Sequence, residues 1–166
     1  MIILIRSIII CLFVIIVINQ YRIETMSFVP ISLPINTIED NPIKRKLESL
    51  GVKSTPQLVD AISFASSQYK ISSDLIIALI MTESAFKKDA TSSLGYKGLM
   101  QIPNDVYHKD ANIMIGTRIL NEKIRIAKND MDKALLLYKG YPLDSERGKE
   151  QIQKVYKIYH KLKEIR

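Results

Sequence analysis

The chain falls into three patterns: one long apolar run, a stretch rich in breakers, and a series of segments with helical period. Between Ile2 and Ile18 only Arg6 and Ser7 are not apolar. This run of 17 residues is at the lower edge of a bilayer span, where roughly 20 are usual. Met1–Ser7 reads as a basic n-region and Ile8–Ile18 as an apolar region of signal-peptide length. No small-x-small cleavage site follows, since the next residues are Asn19, Gln20, Tyr21 and Arg22. Residues 1–20 are therefore expected to be a signal anchor, with a cleaved signal peptide as the alternative. A run of mostly β-branched residues with no polar face has no amphipathic logic as a core helix. The flanking charges favour the N-terminus inside and the remainder on the extracytoplasmic side.

Residues 21–42 carry Pro30, Pro34 and Pro42 among Ser, Thr and Asn, which predicts a linker. From Ile43 the breakers thin out. A short helix is expected over Ile43–Leu50, stopped by Gly51. Thr55 is a candidate N-cap with Pro56 at the first helical position. The helix it starts runs to about Tyr69, with Leu58, Ala61, Ile62 and Ala65 on one face. Ser72 or Ser73 caps the next helix, and Asp74 suits its positive end. Leu75–Met81 is apolar on every side, the pattern of a domain's central helix. Further helices are expected over Asp110–Lys128, Met131–Tyr138 and Asp144–Ile165. No segment alternates as a strand does, and no internal repeat is present. The prediction is an all-α domain over residues 43–166.

Composition narrows the chemistry. The 166 residues are 47% hydrophobic, with 24 Lys+Arg against 17 Asp+Glu, so extended disorder is not expected. A single cysteine, Cys11 within the apolar run, excludes a disulfide scaffold. Cysteine spacing offers no zinc site, and His108 and His160 are too few and too separated to suggest one. The last segment, Arg147–Arg166, has seven Lys or Arg against two Glu. Its Ile152, Val155, Tyr156, Tyr159 and Leu162 form a stripe that reads as core. Its charges read as a solvated face suited to anionic polymer or lipid headgroups. No nucleic-acid recognition motif accompanies them, so nucleic-acid binding is not expected.

Glu83 stands out by position, following directly on Leu75–Met81 and Thr82. A carboxyl there meets two effects that favour its protonated form, desolvation and the negative end of the helix dipole. A protonated carboxylic acid is what acid cleavage of an acetal needs. An exposed final-turn glutamate is the plainer alternative.

The residues that follow change the odds. Glu83-Ser84-Ala85-Phe86 is followed nine residues after the Glu by Ser92, then by Gly95-Tyr96-Lys97-Gly98-Leu99-Met100-Gln101-Ile102. This resembles the lytic transglycosylases of the lysozyme-like soluble lytic transglycosylase (SLT) family, whose pattern is E-S-x-F, a Ser at that spacing, then G-A-x-G-L-M-Q-I. Asn112-Ile113 with Gly116 and Leu120 looks like the family's N-I-x-x-G-x-x-Y-L segment, and Tyr138 like the Tyr of its A-x-x-Y-N-x-G motif. The departures are Tyr96 for Ala, Ile119 for Tyr, Lys139 for Asn and Tyr141 for Gly, with Gly140 one position away.

The resemblance implies a lysozyme-like helical fold that cleaves peptidoglycan with Glu83 as its single acid/base, and with no metal and no organic cofactor. It implies that Ser92 orients the Glu83 carboxyl, unless it is an ordinary loop serine. Gln101 would contact substrate sugar or be solvated. Gly98 would permit a turn or close approach, and Met100 would be core or groove wall. Asn112 would cap its helix or satisfy buried backbone, and Tyr138 would hold the Glu83 carboxyl or pack as a core aromatic. The partners implied are peptidoglycan glycan strands, with the membrane reached through the N-terminal segment. A muramidase of the same fold and a non-catalytic wall-binding or assembly protein are the alternatives.

Overall fold

The computed structural model describes residues 41–165. The expected anchor at 1–20 lies outside the described residues, as does all of the 21–42 linker except its last two positions. Six α-helices follow in order: α1 (Pro42–Ser49), α2 (Pro56–Tyr69), α3 (Ser73–Ser84), α4 (Asn112–Ile126), α5 (Met131–Lys139) and α6 (Glu146–Lys163). A 3-10 turn, Asn104–Val106, precedes α4. Among the described residues there are no strands, only isolated bridges that tie Lys97 to Thr91 and to Ile102. The all-α expectation holds for this part of the chain.

The helix starts follow from local chemistry. Asn41 caps α1, its side chain accepting from the Ile43 N–H at 2.8 Å, with Pro42 at the first helical position. That cap makes α1 begin one residue before the expected Ile43. Thr55 caps α2, with Pro56 in its first turn. Ser72 caps α3 by accepting from the Asp74 N–H at 3.2 Å.

Every residue from Leu75 to Ile80 is buried, so α3 is the central helix that its all-round apolar sequence predicts. Each such Leu or Ile contributes about 1.5–3 kcal/mol by leaving water. Around it pack Leu47 of α1, Ile62 and Ala65 of α2, Leu120 of α4, Leu135 of α5, and Ile152, Val155 and Leu162 of α6. The α6 stripe is therefore core, with Tyr156 and Tyr159 half-buried at its margin. On α2 the buried face is Val59, Ile62 and Ala65, while Leu58 and Ala61 are half-buried beside a cavity. Among the described residues no helix is long and apolar enough to cross a membrane.

Candidate active site

The segment between α3 and α4 is the least regular part of the fold, and it carries most of the candidate residues. Three hydrogen bonds fold it back on itself: Lys97 and Ile102 exchange backbone bonds at 2.9 and 3.0 Å, and the Gly98 N–H donates to the Ala90 carbonyl at 2.8 Å. The resulting turn puts Leu99, Met100 and Ile102 in the core. Gly98 sits at φ +79°, and a Cβ there would lie 2.8 Å from the Asn112 side-chain carbon. Only glycine combines that conformation with so close an approach.

Asn112 holds this turn from α4. Its Oδ1 accepts from the buried Met100 N–H at 2.8 Å, and its Nδ2 donates to the Lys97 carbonyl at 3.1 Å. Of the two roles open to it, the structure selects the satisfaction of buried backbone, because Asn112 is the first helical residue and its side chain makes no cap hydrogen bond. Met100 then packs against Gly116, where a Cβ would come within 2.5 Å of the methionine Cβ. The Thr117 hydroxyl, donating to the Ile113 carbonyl at 2.7 Å, lies 3.7 Å from the Met100 sulfur. Met100 is fully buried core.

Gln101 adopts φ +48° and donates its side-chain amide to the carbonyls of Ala90 (3.1 Å) and Gly98 (2.8 Å). Its amide group thus braces its own loop. Ser92 accepts from the Tyr96 N–H at 3.0 Å, closing the turn over Gly95. The described hydrogen bonds link Ser92 to Tyr96 rather than to Glu83. Tyr138 donates its hydroxyl to the Met100 carbonyl at 2.7 Å. That hydroxyl's one proton is thus directed to the Met100 carbonyl rather than to Glu83. Burial, and then the negative charge of Glu83, push the Tyr138 hydroxyl well above the usual phenol range.

Glu83 lies in the last turn of α3 with its side chain 16% exposed. Its Oε1 accepts a hydrogen bond from the Lys139 ammonium, whose side chain is 6% exposed. Desolvation and the helix dipole are the two effects expected at this carboxyl, and the structure adds an ammonium partner. Past Glu83 the chain turns sharply, with Ala85 at φ +49° and Phe86 at φ +61° in succession. Left-handed conformations in non-glycine residues cost on the order of 1–3 kcal/mol each and cluster where function overrides stability. Ala85, Phe86 and Gln101 all flank this site.

Gly98, Met100, Gln101, Asn112 and Tyr138 therefore form one bonded set around the 97–102 turn, and Glu83 joins it through Lys139, the residue next to Tyr138. Sequence reasoning missed two contacts at this site: the pairing of Lys139 with Glu83 and the seating of Met100 on Gly116. The signal for the first was the lysine standing where the resembling family has Asn. A separate cavity of about 320 Å³ opens on the α2 side of the turn, lined by Leu58, Ala61, Leu99 and Asn112 among others. No grouping of three or more His, Cys, Asp or Glu suited to a metal ion occurs among the described residues.

Residues 60–110 match the family profile of the transglycosylase SLT domain. The match bears out the resemblance to the lytic transglycosylases read from the motifs. It contains Glu83, Ser92, Gly98, Met100 and Gln101, and it ends before Asn112, Tyr138 and Lys139. The matched segment thus supplies the carboxylate and the turn, while α4 and α5 supply the groups that hold them.

Proposed function

We propose that the protein is a peptidoglycan lytic transglycosylase that cleaves the β-1,4 bond between N-acetylmuramic acid and N-acetylglucosamine, using Glu83 as its one acid/base. The observation that carries this reading is the placement of Glu83: a shielded carboxyl in the last turn of the central helix, followed by two left-handed residues and joined through Lys139 to the helix whose Tyr138 braces the 97–102 turn. The other carboxylate in the matched segment's motif region, Asp89, has a side chain 79% exposed and faces Lys109 at 2.9 Å. It is a solvated surface group, unlike the close second carboxylate of most glycosidases.

One carboxyl suffices if the substrate supplies the rest. Glu83 gives a proton to the glycosidic oxygen as the C1–O bond breaks, and the substrate's 2-acetamido group stabilises the developing oxocarbenium ion. Glu83, now a carboxylate, takes the proton of the muramoyl 6-hydroxyl as that oxygen closes on C1. The product is a 1,6-anhydro end, and no water is consumed. Digestion of purified sacculi with the full-length protein, followed by mass analysis, tests this. Anhydromuropeptides are expected; reducing ends heavier by one water would instead show a muramidase. A second reading, a wall-binding protein without turnover, is favoured by the Lys139 pair alone, and binding without any released muropeptide would establish it.

The proposal extends to location. Residues 1–20 would anchor the protein in the membrane, the 21–42 linker would carry the domain on the extracytoplasmic side, and residues 43–166 would act on glycan strands within reach. Retention in the membrane fraction through high-salt and carbonate washing, with Met1 at the N-terminus, is the expected result. A mature N-terminus between about Asn19 and Ser27 would show a cleaved signal instead.

A further inference from the structure

We infer that Lys139 is a latch on Glu83, a positioning residue whose ammonium must leave before the carboxyl can act as an acid. The inference rests on the function proposed above and adds a control step to the same site. The pair is built in, since both side chains are largely shielded, 6% exposed for Lys139 and 16% for Glu83. It also satisfies two helix ends at once. Lys139 is the last residue of α5, where the negative end of the dipole favours a cation. Glu83 occupies the last turn of α3, where the dipole opposes an anion, so the ammonium supplies the charge that makes this carboxylate tolerable.

The same contact works against the chemistry. An ion pair joins the charged forms, whereas the first step needs the proton on Glu83 and directed at the glycosidic oxygen. A fixed positive charge beside C1 also opposes the positive charge that develops on the sugar ring. Both effects vanish when the lysine swings out. Its long four-carbon stem supplies the rotatable bonds for that movement. The helix carrying it stays in place, held by the Tyr138 hydroxyl on the Met100 carbonyl and capped by Gly140 at φ +73°. The latch is thus a side-chain movement on a fixed frame.

The test compares Lys139→Gln, Lys139→Arg and the parent in full-length protein digesting purified sacculi. Removing the charge is expected to raise kcat by about tenfold, with KM unchanged. Lys139→Arg, which keeps a cation that does not deprotonate, is expected to be no faster than the parent. A merely structural lysine predicts the reverse order, with Arg near the parent and Gln below it, and that order overturns the latch. Should Lys139→Gln fail to fold, the ¹⁵N signal of the Lys139 ammonium decides. A shielded, paired ammonium gives a slowly exchanging signal that Glu83→Gln is expected to abolish, and a signal indifferent to that change overturns the proposal. The two levels separate cleanly: parent turnover without acceleration in Lys139→Gln defeats the latch alone. No anhydro product from any variant, Lys139→Gln included, defeats the assignment of Glu83 and the latch with it.

Discussion

Both ends of α3 carry a carboxylate paired with a lysine, yet the two ends are built to opposite rules. At the N-terminus Asp74 lies 2.7 Å from the Lys46 ammonium, with side chains 10% and 14% exposed. There the Ser72 cap, the helix dipole and the ion pair all favour the same charge arrangement, and the pair fastens α1 to the central helix. At the C-terminus Glu83 sits at the end that repels an anion, and the chain beyond it runs through two left-handed residues, Ala85 and Phe86. Lys139, 56 positions further along the chain, offsets that. One end is arranged for stability; the other gathers unfavourable interactions around the carboxyl that the proposed function uses.

The comparison can be broken first at the reactive end. Glu83→Gln should reduce release of anhydromuropeptides by about 10²–10⁴-fold or more, because one residue serves both proton transfers. Anhydromuropeptide release near the parent rate from that variant would remove Glu83 from the mechanism. The 97–102 turn comes next. Asn112→Ala leaves the buried Met100 N–H without a partner, at about 1–3 kcal/mol, and takes one of its two hydrogen bonds from the Lys97 carbonyl, at about 0.5–1.5 kcal/mol. Urea unfolding should show a loss of about 3 kcal/mol. A loss below about 1 kcal/mol would mean that the turn finds other partners.

At the stable end, Asp74→Asn leaves the Lys46 ammonium without its counter-charge in a shielded place. Truncating one partner of a fully buried pair costs several kcal/mol, and the slight exposure here lowers the expected loss to about 2–3 kcal/mol. The kcat on sacculi should be unchanged, and a fall in kcat greater than the fall in folded protein would erase the distinction between the two ends. The smallest effect belongs to Tyr138→Phe, which removes one hydrogen bond to the Met100 carbonyl. About 1 kcal/mol of stability should be lost, with little change in turnover, since the hydroxyl serves the frame and not the carboxyl. A collapse of kcat in Tyr138→Phe would place that hydroxyl in the chemistry.

The sequence by itself determined the helices and the segment that matches the SLT profile. Thr55-Pro56, Ser72 and the apolar run Leu75–Met81 act within a turn or two of themselves, so caps, starts and the central helix follow from local hydrogen bonding and side-chain period. The motif from Glu83 to Ile102 was equally legible, because its spacing is a property of the chain. What Ser92, Gln101, Asn112 and Tyr138 touch was not. Each contact depends on the path of an irregular segment, set by positive φ at Gly98 and Gln101 and by the fit of Met100 against Gly116. Tertiary structure alone brought Lys139 to Glu83, and so decided that the carboxyl is paired rather than solitary. Helix-forming interactions are short in range, whereas electrostatic partners are chosen by whichever helix ends the packing brings together.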